Sequence, residues 1–252
     1  VEVLKDAGTY EILTPVEELK AQLLRIERAG RTCYQSFTGD ITHESAVKFV
    51  RMLLKRGHES VIEHSNLTVR FMNCSRGLTH ELVRHRLCAF SQESTRYVDY
   101  DKRGDGDPDL DRFHVKFVVP PHRDERETIP LAFSGPDDKL RKRLAFTALS
   151  PLDMAQLYEL FYRSLRKKGW KPEDARQFLP IGTKSEIVIS ANLREWRHIF
   201  FMRTSKYAHW EIRRVMCNLL EELQGLIPVI FEDFVEAGVD KNGLRYFEKK
   251  AR

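Results

Sequence analysis

The segment Thr79-His80-Glu81-Leu82-Val83-Arg84-His85-Arg86-Leu87-Cys88-Ala89-Phe90 packs imidazoles, a carboxylate and guanidinium groups into one short run. Such a set could hold a metal or an anion. His80-Glu81 followed by His85 stands one residue away from the H-E-x-x-H pattern of zinc hydrolases. On a helix, histidines four apart lie within about 40° of one another, whereas histidines five apart diverge by about 140°. Imidazoles splayed that far cannot share one tetrahedral ion, so no metal site is expected here. Arg84 and Arg86 would point about 200° apart on the same helix, so they could serve two anionic ligands on opposite sides of one segment. The plainer alternative is a solvated cationic face.

The chain that must position these groups has 252 residues, 42% hydrophobic and 31% charged, enough to bury a core within one domain. Its net charge of +5 suits an anionic ligand such as a nucleotide as well as a nucleic-acid strand. Cys33, Cys74, Cys88 and Cys217 form neither a C-x-x-C pair nor a zinc spacing, and Val-Glu-Val-Leu-Lys at the start is unlike a signal peptide. A reducing, cytoplasmic setting is the expectation. The richest apolar run, Leu219 to Phe234, is interrupted by Glu221, Glu222, Gln224 and Pro228, so no membrane span is expected.

Helical spacing of Val16, Leu19, Leu23 and Leu24 predicts a helix from Pro15 to Ala29, with Gly30 as its stop. A second is predicted from His43 to Arg56, with Gly57 just past its end. Further helices are expected over Asp153 to Lys168, over Pro172 to Phe178, after Asn192, and from Ala208 to a bend at Pro228. Asn192 should cap the third of these, with Glu195 three residues on. Alternation of Leu67, Val69 and Phe71 with polar neighbours predicts a strand from Ser65 to Met72, and His114 to Val119 and Glu186 to Ser190 read likewise. The charged loop Asp99 to Asp111 resembles a calcium loop at Asp107, Asp109 and Asp111. Arg112 and Val118 replace the required glycine and glutamate, leaving a solvated loop. Arg123 to Lys139 reads as an exposed connection. Long helices with few, non-alternating strands predict an α+β fold, a small mostly antiparallel sheet packed with helices. Neither G-x-G-x-x-G nor G-x-x-x-x-G-K-[ST] occurs, so there is no Rossmann unit or phosphate loop.

Beyond Arg84-His85-Arg86 the chain continues to Ser94-Thr95-Arg96-Tyr97, and this ordered pattern resembles the signature of the flavin-dependent thymidylate synthases. Upstream, Arg31 to Phe37, Gly57-His58-Glu59-Ser60 and Glu63-His64 are similar to the same family. Downstream, Ala175-Arg176, Leu179-Pro180, Asn192 to Arg194, Trp196 to His198, Arg203 and Glu211-Ile212 follow in the family's order. The likeness spans residues 30 to 235. It implies a single family domain, 1–252, that transfers a methylene group from methylenetetrahydrofolate to carbon 5 of dUMP. FAD would give the hydride that completes the methyl, and NADPH would reduce the flavin. The resemblance further implies a homotetramer with active sites shared between subunits, and neither a nucleic-acid nor a membrane partner.

By the same resemblance Arg203 is the catalytic group, meeting the uracil edge and favouring ionisation of its ring nitrogen. A fixed guanidinium suits developing negative charge better than a mobile ammonium. The dUMP positions implied are Glu81, Leu82, Val83, Arg84, Gln92, Glu93, Ser94, Thr95, Arg96, Arg176 and Arg203, with Arg96 and Arg176 as charge-assisted phosphate donors. Ser94 is read as positioning substrate rather than as a nucleophile, since no general base accompanies it. For FAD the implied positions are Ser60, Arg84, His85, Arg86, Gln92, Asn192, Leu193, Arg194 and His198. His58 would lie near the flavin and folate rings, where an imidazole can stack and hydrogen-bond.

Plainer readings stand beside these. His64 and His198 could be satisfied core histidines, and Trp196, Phe200 and Phe201 core aromatics. Arg213 and Arg214 could be surface charges or subunit contacts, and Cys88 a small buried apolar residue. Ala89, Ser91 and Tyr207 depart from the family's commonest residues, Tyr207 standing where a histidine close to the flavin is expected. A phenol keeps a ring and a donor but loses titration near neutrality. A relative acting on another pyrimidine nucleotide is one alternative. A non-catalytic RNA-binding module is another, and the scattering of arginines among acidic residues argues against it.

Overall fold

The computed structural model describes residues 1–37, 39–101, 114–131, 138–144 and 147–250. The calcium-like residues Asp107, Asp109 and Asp111 lie outside them. In chain order the described elements are β1 (Glu2–Lys5), β2 (Thr9–Ile12), α1 (Val16–Tyr34), α2 (His43–Lys55), a 3-10 turn (Glu59–His64), β3 (Asn66–Ser75), α3 (Arg76–Leu82) and β4 (Ala89–Gln92). There follow β5 (Lys116–Val119), β6 (Ile129–Pro130), α4 (Asp138–Arg143), β7 (Ala148–Leu149), α5 (Pro151–Lys167), α6 (Pro172–Ala175) and a 3-10 turn (Arg176–Phe178). The last are β8 (Lys184–Asn192), α7 (Leu193–Arg203), α8 (Trp210–Leu226), α9 (Pro228–Phe231), β9 (Phe234–Val239) and β10 (Arg245–Lys249). The fold is α+β, with small and mostly antiparallel sheets.

The chain divides into two compact units, the first made of residues 1–7, 75–77 and 93–185 and the second of 8–74, 78–92 and 186–252. In the first, β1 pairs in parallel with β5, Glu2 opposite Lys116 and Lys5 opposite Val119. Its core gathers Tyr100, Val115, Phe117, Ala155, Tyr162 and Ala175. Tyr100 and Tyr162 meet edge to face at 5.8 Å, the arrangement their ring quadrupoles favour. Helix α5 starts where Ser150 and Asp153 cap each other reciprocally, which satisfies amide groups the first turn leaves unpaired.

In the second unit a sheet runs in the order β2-β3-β8-β4. Along β8 the side chains of Ile187, Ile189 and Ala191 are buried while their neighbours are partly exposed, the period of two expected of a half-covered strand. Each such isoleucine contributes roughly 1.5–3 kcal/mol of apolar burial. Helix α1 runs past Gly30 to Tyr34, further than its sequence stop predicts. The reason is packing: a Cβ on Gly30 would stand 2.3 Å from the Phe49 ring, so this glycine serves the crossing of α1 and α2 rather than a helix end. Gly57 does follow α2 in the left-handed region, at φ +71°. Helix α7 is tied down by Arg197, whose guanidinium donates to both Asp233 carboxylate oxygens at 2.8 and 2.7 Å in the buried interior. Removing either partner of such a buried pair costs about 3–5 kcal/mol.

Several expectations change. Arg213 is buried against Asp240 and the Lys206 carbonyl, and Arg214 donates to the Gly8 carbonyl at 3.1 Å, so neither is a plain surface charge. Trp196 and Phe200 are core residues, whereas Phe201 is exposed. His64 and His198 are exposed and so are not core histidines. Among the described residues no helix is long and apolar enough to cross a membrane.

Candidate functional site

Helix α3 ends at Leu82, so Arg84, His85 and Arg86 lie on a turn between α3 and β4 instead of on a helix. The angular argument from helical spacing therefore does not apply to them. His85 folds inward to 5% exposure, while Arg84 and Arg86 stay exposed on either side. The turn is fixed at its far end by β4, which pairs with β8 from Ala89 opposite Ser190 to Gln92 opposite Ile187. The Gln92 side chain donates to Thr79 Oγ1 at 2.8 Å, closing the loop onto α3.

β8 runs directly into α7, and Asn192 marks the junction by accepting the Glu195 N–H at 2.8 Å. This cap sets the rotation of α7 and so the side chains it presents. At its other end Arg203 donates Nε–H to His85 Nε2 at 2.9 Å and a terminal N–H to the Glu81 carbonyl oxygen at 2.9 Å, and pairs with the Glu81 carboxylate. Held on three sides, the guanidinium keeps one orientation while part of its fork remains uncommitted among the described residues.

Burial first, then the Arg203 charge and His198, pulls the His85 pKa down from 6.5 to about 4. The imidazole is thus neutral at physiological pH. Burial raises the Glu195 carboxyl, with His198 partly opposing. Cys88 is pushed up to about 12 by burial and by Glu195, so no thiolate nucleophile is available there.

Two clefts open beside this assembly. One, of about 710 Å³, is lined in part by Asn192, Arg194, His198, Leu87, Phe201 and Lys249. Another, of about 340 Å³, is lined in part by His58, Ser60, Tyr34 and again Arg194. Arg194 pairs with Glu63 at 2.6 Å, and His58 Nδ1 lies 2.8 Å from the Tyr34 hydroxyl. The side chains of Leu82 and Leu193 are fully in the core, so what they can offer a ligand is backbone. The Leu193 N–H is already given to the Ser65 carbonyl at 2.9 Å. Val83 is exposed beside Arg84. Tyr207 is 86% exposed and lines a third cleft together with Arg203 and Phe247.

In the first unit, Glu93, Ser94, Thr95, Arg96 and Arg176 form a separate group. A turn closes from Ser94 to Val98, whose N–H donates to the Ser94 carbonyl at 2.9 Å. Arg176 donates to Thr95 Oγ1 at 3.0 Å and to the Glu173 carbonyl at 3.2 Å. Arg96 is exposed, donates Nε–H to Glu173 Oε2 at 3.3 Å, and donates its backbone N–H to the Ser94 hydroxyl oxygen at 3.3 Å. Glu93 accepts from Lys184 and from the Tyr100 hydroxyl at 3.1 and 3.0 Å, a structural use of that carboxylate. Both guanidinium groups are thus engaged by Glu173, Arg96 at its carboxylate and Arg176 at its carbonyl.

Sequence reasoning missed Glu195 as more than a cap partner and missed Lys249 altogether. Nothing in the basic run Lys249-Lys250 signals that β10 brings Lys249 to a cleft.

Residues 16–229 match the family model described as Thymidylate synthase complementing protein, which leaves Lys249 outside the matched segment. The chain is 35% identical over 210 residues to the flavin-dependent thymidylate synthase of Mycolicibacterium gilvum, covering 83% of this chain and 78% of the relative. It is 36% identical over 210 residues to that of Corynebacterium glutamicum, again covering 83% and 78%. Among solved structures it is similar to the UMP/dUMP methylase PolB of Streptomyces cacaoi bound with 5-Br dUMP. That likeness has a TM-score of 0.59 at 24% identity and covers 92% of this chain and 96% of the other. It is also similar to Thymidylate Synthase X of Helicobacter pylori with FAD and dUMP, with a TM-score of 0.56 at 22% identity, covering 90% and 98%. These structural likenesses speak for the fold.

Proposed function

Because the chain belongs to the flavin-dependent thymidylate synthase family, we propose that it catalyses the reductive methylation of dUMP to dTMP, as a single family domain. Methylenetetrahydrofolate is the one-carbon donor in this reading. The observation that carries it is the fixed guanidinium of Arg203, held by His85 and Glu81 with part of its fork uncommitted among the described residues.

Arg203 donates to the pyrimidine edge and stabilises negative charge as the ring nitrogen ionises, which makes carbon 5 electron-rich. The neutral His85 supports that charge without adding a mobile proton of its own. By resemblance the phosphate role falls to Arg96 and Arg176, with Ser94 and Thr95, and Glu81, Leu82, Val83, Arg84, Gln92 and Glu93 are read as further nucleotide positions. No cysteine takes part, in keeping with the upward shift of Cys88.

The first cleft offers a place for FAD: Arg194, Lys249 and His198 are donors for a diphosphate that would displace Glu63 from Arg194 and Glu59 from Lys249, and Leu87 and Phe201 offer apolar wall for a ring. Ser60, Asn192, the Leu193 backbone, Arg84, Arg86, Gln92 and His85 would join them in holding it, and His58 would serve the flavin and folate rings. The chemistry FAD supplies when bound is hydride donation to the one-carbon unit, with NADPH restoring its reduced form. The active assembly is a cytoplasmic homotetramer, which light scattering of the purified protein tests directly.

The decisive experiment adds NADPH anaerobically to the FAD-loaded protein, then methylenetetrahydrofolate with dUMP or with UMP. Bleaching of the flavin band followed by dTMP formation is expected for dUMP. A protein that takes up neither FAD nor dUMP overturns the reading.

A further inference from the structure

The side chains of His85, Glu195 and His198 place potential ligand atoms within 4.8 Å of one another, as a metal triad would. The hydrogen bonding of His85 excludes its use as a ligand at Nδ1. A guanidinium N–H can only donate, so His85 Nε2, which receives Arg203 Nε–H at 2.9 Å, must present its lone pair. A neutral imidazole has one such lone pair, and its proton then sits on Nδ1. That nitrogen lies 3.4 Å from Glu195 Oε1, with both side chains almost fully buried. Glu195 stands at the third position of α7, where its backbone is held by the Asn192 cap, and His198 lies one turn on along the same face.

From this arrangement we infer that Glu195 is a positioning residue: its buried carboxylate holds the proton of His85 on Nδ1 and so keeps Nε2 open to Arg203. The sequence of contacts is carboxylate, imidazole, guanidinium, each fixing the next. In water an imidazole divides its proton between its nitrogens. Beside Glu195 the Nδ1–H form is favoured by the carboxylate and, at the far side, by the Arg203 donor. The low pKa of His85 supports the scheme, since a doubly protonated ring would expel Arg203 from Nε2. The second clamp on Arg203, from Glu81, takes both terminal nitrogens of the guanidinium, one at the carboxylate and one at the carbonyl. Loss of the His85 contact alone would thus let the group swing about Glu81 rather than leave. The consequence for catalysis rests on the reading of Arg203 as the group that meets the pyrimidine. The consequence for the proton does not.

The test uses full-length protein labelled with ¹⁵N at histidine, the His85 signals being assigned by their loss in His85→Gln. Wild-type protein is expected to show one neutral form with the proton on Nδ1. Glu195→Gln keeps a carbonyl acceptor and nearly the same volume, and is expected to retain that form. Glu195→Leu is expected to move a substantial part of the proton to Nε2. In turnover, Glu195→Leu should lower kcat for dTMP formation about tenfold, and Glu195→Gln should recover much of the loss. A wild-type proton on Nε2, or a Glu195→Leu protein with the wild-type form, overturns the inference. A wild-type protein that makes no dTMP but shows the expected proton shift refutes the functional reading and leaves the positioning intact.

Discussion

Asn192 Oδ1 accepts the backbone N–H of Glu195 at 2.8 Å, and that one bond joins the last residue of β8 to the first turn of α7. Arg203, His198 and Arg194 all hang from this helix. Replacing Asn192 by alanine removes the cap, which is worth about 1 kcal/mol. In a chain of this size the melting temperature should fall by roughly 2–4 °C. Asn192→Ser keeps an acceptor and should recover most of the loss. Thermal unfolding followed by circular dichroism measures both.

Arg203→Lys tests whether geometry or charge matters at this position. A lysine keeps the charge but cannot donate to His85 and to the Glu81 carbonyl in one plane. The expected loss in kcat is on the order of 100-fold, with stability changed little. A lysine variant of near wild-type kcat would show that a point charge is enough.

The depressed pKa of His85 has a consequence for stability. Its folded value, about 4, lies below its ordinary 6.5, so the unfolded chain takes up this proton first as pH falls. The histidine therefore costs nothing above pH 6.5 and destabilises the fold progressively between 6.5 and 4. The full effect is of the order of 3 kcal/mol. Urea unfolding across that window should show stability falling with acid, and a smaller slope in His85→Gln. An equal slope in both proteins would assign the loss to other groups.

Thiol chemistry offers a separate check. Cys33 is exposed, whereas burial raises Cys88 and Cys217 each to about 12. Iodoacetamide at about pH 8 should alkylate Cys33 well before the other two, because the thiolate is the reacting form. Cys88→Ala should retain dTMP formation, as the reaction needs no cysteine nucleophile. Peptide mass mapping and turnover decide these points.

Elements whose signal is local were legible in the sequence. The apolar stripes of α2, α5 and α8 and the alternation in β3 and β8 fall where the spacing predicts them, within a few residues. Short elements that depend on distant partners were not. β1 holds four residues and gains its partner only from β5, over a hundred positions away, and β9 and β10 carry exposed charges that mask their alternation. The turn bearing Arg84, His85 and Arg86 reads as helical in the sequence because its apolar spacing continues that of α3. What stops the helix is tertiary: β4 draws the chain into the sheet, and His85 turns inward to meet Arg203. Arg213 gave no sign of burial, since its partner Asp240 lies beyond β9 in the chain.

Gly30 carries no functional group, yet it governs how closely α1 can lie on Phe49. Four residues further along the same helix, Tyr34 reaches the His58 ring. A helix is stiff over one turn, so a methyl group at position 30 that lifts α1 from α2 must also shift the tyrosine hydroxyl away from the imidazole. An orientation needed at the rim of a cleft is thus stored as missing volume in the helix packing. Variation at this position would be felt as altered His58 behaviour before it was felt as unfolding.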